Sequence, residues 1–249
     1  TLAPERLGLG AVPPVIVNPK SVRAFANEAA FEAWLSKNHL TASEVWIKIF
    51  KKDSGTPSIN ASQAIDVGLC WGWIDGIRKS FDEAAFLQRY TPRKDKSRWS
   101  QINRDRVAAL TKSGRMTPHG QVHVDAAKKD GRWDAAYPSS KTMELPPDFV
   151  AAVRKNAKAR ATLEALGRQD TFSLGFRLFY AKGERRDALM KRLIADLERG
   201  AAAVIAESPR GKAAEARKAR ASAMGPKTAK RAKTAKNATP SPRATRAKR

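Results

Sequence analysis

GLCWGWIDGIRKSFDEAAFLQRYTPRKDKSRWSQIN, residues 68–103, decides how this chain is read. It carries Trp71, Trp73 and Trp99, half of the six tryptophans, together with the single cysteine, Cys70. An indole is large, and its N–H seeks a partner when buried. Tryptophans set among Asp, Arg and Asn therefore point to a packed, hydrogen-bonded cleft rather than an oily core alone. Gly68, Gly72 and Gly76 recur at every fourth position, where a backbone or a ligand can come close.

Within this stretch, residues 73–80 and 85–91 read as two short strands, a hairpin closed around Asp82 and Glu83. Upstream, residues 44–51 alternate Val45, Ile47 and Ile49 against Trp46, Lys48 and Phe50, the pattern of a third strand. Asn27 is placed to cap a helix running to about Lys37, and Asn60 or Ser62 one running to about Trp71. The Pro-rich lead-in, residues 1–24, reads as extended, with Val15, Ile16 and Val17 as an edge strand. Downstream, Ser97 or Ser100 caps a helix that Gly114 stops. Thr117 and Pro118 start another, which ends before Gly131. Trp133 and Tyr137 are expected to pack back on this helix pair.

Residues 146–207 read as a helical region, broken near Asn156. They finish on an amphipathic helix whose apolar stripe is Leu189, Met190, Leu193, Ile194 and Leu197. From residue 208 onward large apolar side chains are nearly absent. Such a segment cannot bury enough surface to offset ~1–2 kcal/mol of backbone entropy per residue, so disorder is expected. The expected architecture is α+β: a small, mostly antiparallel sheet flanked by helices, then a C-terminal helical bundle and a disordered basic tail. The divisions fall at 1–24, 25–138, 146–207 and 208–249.

The chain has 249 residues and a formal net charge of +24. Fourteen Lys or Arg against one acid, Glu215, lie in residues 208–249. Such an excess calls for polyanionic company, either nucleic acid or an anionic membrane surface. One cysteine excludes an intramolecular disulfide, and no Cys/His spacing suggests a structural zinc site. No export signal and no apolar run near the ~20 residues of a membrane span is read, so a cytoplasmic, nucleoid-associated protein is expected.

The order of motifs resembles a known family. GLCWGWIDGIRKSFD, then RYTPRKDKSRWSQIN, then GRMTPHG and AAKKDGRW are similar to the YdeI/OmpD-associated, or bacteriocin-protection, proteins over about residues 25–133. LPPDF and YAKGERRDALMKRLIADL echo that family's C-terminal region. The resemblance implies bacteriocin protection or stress resistance with no assigned biochemical activity. The tail is outside that pattern and is similar in composition to linker-histone Lys/Ala/Pro sequence.

Candidate ligand-binding residues are Trp73, Asp75, Arg78, Arg93, Ser97, Trp99, Ser100 and Asn103. Asp75 can act as a general base or ligand acceptor, with Arg78 and Arg93 gripping an anionic small molecule through their planar forks. The preferred reading of the same residues is structural, a buried Asp–Arg pair that fixes the hairpin. Ser97 or Ser100 at a helix start, beside Arg93, Lys94 and Arg98, can hold a phosphate or carboxylate, although capping alone explains the serine. Cys70 is expected to be a packed, neutral thiol, since no base neighbours it. His119 and His123 stand four apart on one helix, a spacing that suits a metal pair; solvent-facing histidines are preferred because no third ligand is in reach. Gly68, Gly72 and Gly76 form no dinucleotide fingerprint, and no cofactor is assigned.

In the tail, Lys227, Lys230, Arg231, Lys233, Lys236, Arg243, Arg246, Lys248 and Arg249 are the candidate nucleic-acid contacts. They neutralise phosphates without reading bases. The expected function is therefore a bacteriocin-protection-like body carrying a nonspecific nucleic-acid-binding tail. The alternatives are an anionic-ligand site or enzyme in the Trp-rich cleft, and association with an anionic membrane surface.

Overall fold

A computed structural model describes residues 16–206. The chain is a mixed α/β protein with a four-stranded sheet, and the candidate contacts from Lys227 to Arg249 lie outside the described residues. So does the expected disorder of the tail.

The sheet is built from β1 (Val22–Arg23), β2 (Val45–Phe50), β3 (Trp73–Ser80) and β4 (Ala85–Pro92) in the order β1-β2-β4-β3. β2 and β3 both run antiparallel to β4, while the two-residue β1 lies parallel to β2. Among the described residues the first strand therefore falls at 22–23, with Ile16 and Val17 outside any strand, and Val15 lies outside the described residues. Asn18 explains the shift: its side chain accepts from Lys20 N and caps a single helical turn over Pro19–Ser21, which delays the extended segment. The expected hairpin forms, with Asp82 Oδ1 accepting from the backbone N–H groups of Ala84 and Ala85 at its turn. β3 slips register between Asp75 and Arg78.

Four helices are interleaved with and follow the sheet: α1 (Glu28–Asn38), α2 (Ala61–Cys70), α3 (Gln101–Lys112) and α4 (Pro118–Lys129). Asn27, Asn60, Ser100 and Thr117 cap them, each side chain accepting a backbone N–H of the first turn. At Asn60 the bond is reciprocated by Gln63, a complete capping box. α1 and α2 close one core with the sheet, where Phe31, Leu35, Ile47, Ile49, Trp73 and Tyr90 are buried and Trp34 meets Trp73 edge to face at 5.8 Å. A second core joins α2 to α3 and α4 around Leu69, Trp99, Val107 and Val124.

α4 rides directly on the end of α2. A Cβ at Gly120 would lie 2.6 Å from Leu69 O and closer still to Cys70 O, so only glycine permits the approach. Gly72 turns the chain between α2 and β3 with φ +71°, under the ring of His123. Gly76, the third glycine of the four-residue spacing, faces no such crowding.

Beyond the sheet come α5 (Pro147–Arg154), α6 (Ala157–Ala165), α7 (Arg168–Phe179), α8 (Gly183–Arg199) and α9 (Ala201–Ala206). Asn156 breaks the first helical stretch by capping α6. Phe149, Val153, Leu174, Leu178, Leu193 and Leu197 form a third core among these helices. Trp133 packs on the α3/α4 core as expected, and Tyr137 bonds to the start of α3 at Ser100 and Gln101 but turns its ring away from that core. Its backbone pairs beside Ser100, and its ring meets Phe176 of α7 edge to face at 4.8 Å. An aromatic partner on a later helix was available, and no local pattern announces such a partner.

Candidate functional site

The loop from Arg93 to Ser100, between β4 and α3, organises the polar chemistry of the molecule. Its backbone is pinned at several points. Arg93 N donates to Gly72 O at 2.8 Å, and Ser97 N to Lys94 O at 2.9 Å. Ser97 Oγ accepts from Lys94 N, and Arg132 Nη1 donates to Ser97 O. Ser100 Oγ accepts from Asn103 N, which is the capping role. On this rigid loop two arginines, five residues apart, face different surroundings.

Arg93 points inward and is 5 % exposed. Its guanidinium carbon lies 3.6 Å above the Trp99 ring, and Nη1 donates to Arg98 O at 3.2 Å. Its Nε and Nη2 are buried without a partner, as is Trp99 Nε1. Burial pulls Arg93 down to about 10, an effect that Tyr137 opposes, Arg132 reinforces and Asp75 opposes. Among the described residues no carboxylate lies within ion-pair distance of it.

Asp75 pairs across the ladder with Tyr90, so both side chains project from the same face of the hairpin. Burial pushes its carboxyl above the ordinary carboxylate range, while its own backbone N–H, Arg78, Arg93 and Arg106 pull the other way. Tyr90, fully buried, has an unpartnered hydroxyl and a pKa pushed well up by burial, with Asp75 adding to the rise. Arg78 does not bond to Asp75. It gives Nε to Gln88 Oε1 at 2.8 Å and lays its guanidinium 4.3 Å over Phe86. The slip between Asp75 and Arg78 sets them opposite Tyr90 and Gln88, on one face of the hairpin, so Arg78 acts on Asp75 through its charge without a bond.

Arg93, Trp99, Ser100 and Asn103 are thus brought to one corner. Trp73 belongs to the sheet core and Trp99 to the α2/α3/α4 core, so the two indoles do not face each other across a single cleft. Cys70 is buried and its thiol is pushed up to about 11, chiefly by burial. His119 lies exposed and stacked on Trp71 at 5.5 Å, with His39 at 4.0 Å. His123 is half-buried against Gly72, and burial followed by Arg93 lowers its pKa.

Arg98, by contrast, points outward. Its guanidinium sits 3.9 Å over Tyr180 and 5.4 Å over Phe176, which hold it at the mouth of an open groove of about 670 Å³. Arg98, Arg177, Lys182 and Arg185 line this groove with Phe176, Tyr180, Ala181 and Leu189, and no acid is among the lining residues. Tyr180 Oη donates to Ala135 O at 3.2 Å, fixing its ring as the platform. α8 starts here on Lys182, whose side chain makes no capping bond, so first-turn N–H groups add positive potential beside Lys182 and Arg185. Arg186, on the next face, is already paired with Asp148 at 2.6 and 2.8 Å.

The groove was not read from the sequence. Its signal is FRLFYAKGERR, residues 176–186, an aromatic run passing straight into cations at a helix start. Arg98, from nearly eighty residues earlier, carries no mark of belonging to it.

The chain matches a domain of unknown function (DUF8412) over residues 23–123, less than half its length. That match replaces the resemblance to the YdeI/OmpD-associated proteins, which is not borne out: GLCWGWIDGIRKSFD, RYTPRKDKSRWSQIN and GRMTPHG fall within the matched residues, and AAKKDGRW, LPPDF and YAKGERRDALMKRLIADL beyond them. No curated protein and no solved structure matches the chain. Among the described residues no helix is long and apolar enough to cross a membrane.

Proposed function

We propose that this protein binds nucleic acid without base preference, seating backbone phosphates in the Arg98/Lys182/Arg185 groove while the cationic C-terminal stretch supplies long-range attraction. The carrying observation is the groove lining: Arg98, Lys182 and Arg185 beside two aromatic rings, with no acid among the lining residues. The rings orient Arg98 by cation–π contact, which reduces what must be ordered when a phosphate arrives. A basic groove carrying aromatic side chains is also how sequence-tolerant proteins follow a single strand. The charge of the whole chain, +24, favours the same partner. On this reading the protein works in the cytoplasm beside the nucleoid.

Fluorescence anisotropy with a labelled single-stranded oligonucleotide, titrated at graded salt, tests it. If about eight cations reach phosphates, log affinity falls with log salt at a slope of about −7. Deleting residues 208–249 is expected to abolish binding at moderate salt while the circular-dichroism spectrum of the remainder stays folded. Replacing Arg98 and Arg185 by Ala in the full chain is expected to make the slope shallower by about 1–2. Equal binding by the truncated protein removes the tail from the account, and an unchanged slope in the double variant removes the groove.

A further inference from the structure

Among the described residues Arg93 is the one buried cation, and no carboxylate pairs with it. A guanidinium has two edges able to grip an oxyanion with parallel N–H bonds, and the side edge is formed by Nε and Nη2. In Arg93 both nitrogens of that edge are buried and unpartnered, while Nη1, outside it, is occupied by Arg98 O. Directly beneath, Trp99 is 2 % exposed and its Nε1 also lacks an acceptor. A buried cation is ordinarily paired, and buried N–H groups are ordinarily satisfied. Arg93 Nε and Nη2 and Trp99 Nε1 are thus three buried donors on a stacked guanidinium and indole, and a negatively charged acceptor is the partner that a buried cation calls for.

We infer that the Nε–Nη2 edge of Arg93, with the Trp99 indole N–H in the layer below, is the seat of a small oxyanion, the carboxylate or phosphate group of a small molecule. The neighbours fit that occupant. Arg132, whose Nη1 holds Ser97 O, adds positive charge to the surroundings of Arg93, and the Tyr137 hydroxyl is the ionisable group with the largest electrostatic effect on it after burial. Asp75 is the acid in electrostatic range, yet it stands beyond ion-pair distance, so the site lacks an internal counter-ion. The depth of Arg93 separates this seat from the groove at Arg98: a polymer reaches the outer arginine, and only a small group reaches the inner one.

The test is a titration of the ¹⁵N-labelled full-length protein, following its six tryptophan indole N–H resonances, with Trp99→Phe identifying the one that belongs to Trp99. Inorganic phosphate and acetate are added separately, each against sodium chloride at matched ionic strength. The Trp99 resonance is expected to shift to saturation with at least one oxyanion and not with chloride. A response to phosphate alone assigns a phosphate group, and a response to acetate a carboxylate. Arg93→Lys keeps the charge and loses the fork, and is expected to bind about tenfold more weakly. Arg98→Ala, in the groove, is expected to bind as wild type. Should Arg93→Lys fail to fold, the Arg93 Nε–H resonance of wild type, located by its proximity to the Trp99 indole, gives the same readout. No response beyond chloride overturns the inference, meaning that water alone satisfies these donors; so does equal binding by a folded Arg93→Lys. Loss of binding in Arg98→Ala with Arg93→Lys intact moves the anion to the groove and also overturns it.

Discussion

Helices α1, α2, α3 and α4 each begin on a side chain that accepts an N–H of the first turn, whereas α5, α7 and α8 begin on Pro146, Gly167 and Lys182, which do not. A side-chain cap contributes about 1 kcal/mol and closes the helix end to other acceptors. The region around the sheet therefore consumes its own helix-start N–H groups, whereas in the helix-only region, α6 with its Asn156 cap apart, such groups are left for something else. The charged gap in the sealed region is Arg93, beside Trp99; Tyr90 Oη and His39 Nε2 are neutral polar atoms there that are also buried without a partner. Where a structure leaves donors unmatched, in an open groove or a buried corner, it leaves room for an acceptor it does not itself contain.

The largest effect expected from pressing on this contrast is in the sealed region. Alanine normally stabilises a helix relative to glycine by about 1 kcal/mol. At Gly120 the sign reverses, because the new methyl meets the backbone carbonyls of Leu69 and Cys70. Gly120→Ala is expected to lose about 3 kcal/mol in urea denaturation. A neutral or stabilising result would mean that α4 slides freely over α2, and the contrast would fail.

An intermediate effect is expected at the open end. Lys182 has the extended backbone of an N-cap residue, φ −135° and ψ 154°, but the wrong side chain. Lys182→Asp is expected to raise stability by about 1 kcal/mol and to weaken oligonucleotide binding several-fold. Stability and affinity moving in the same direction would show that this helix end takes no part in binding.

The smallest effect concerns Asp75. Its folded pKa is raised by burial, so folding favours the protonated acid. That contribution is fully present below the ordinary carboxylate range and is lost as pH rises through the folded pKa. Asp75→Asn is expected to match wild type in melting temperature at acid pH and to exceed it modestly near neutrality. A difference that shrinks as pH rises would show that Asp75 is held ionised by a partner instead.

Much of the scaffold was legible because it is written locally. Asn27, Asn60 and Thr117 announce their helices by the match of a short polar side chain to N–H groups a few residues on, and the β3–β4 hairpin by two β-rich runs around Asp82. The candidate site was legible in part: Arg93 and Trp99 do meet, whereas Trp73 and Arg78 point into other surroundings. Periodicity assigns a residue to a face of its own element and says nothing about which distant element covers that face.

By itself, then, the sequence determined the caps, the strand alternation and the concentration of cations after residue 208. Only the tertiary structure decided that Arg93 is buried while Arg98 is open, that Tyr137 turns to Phe176, and that Arg98 and Arg185 share one groove. The physical reason is range. Hydrogen bonds to a neighbouring turn depend on a few adjacent residues, but desolvation of a charge depends on everything that closes over it.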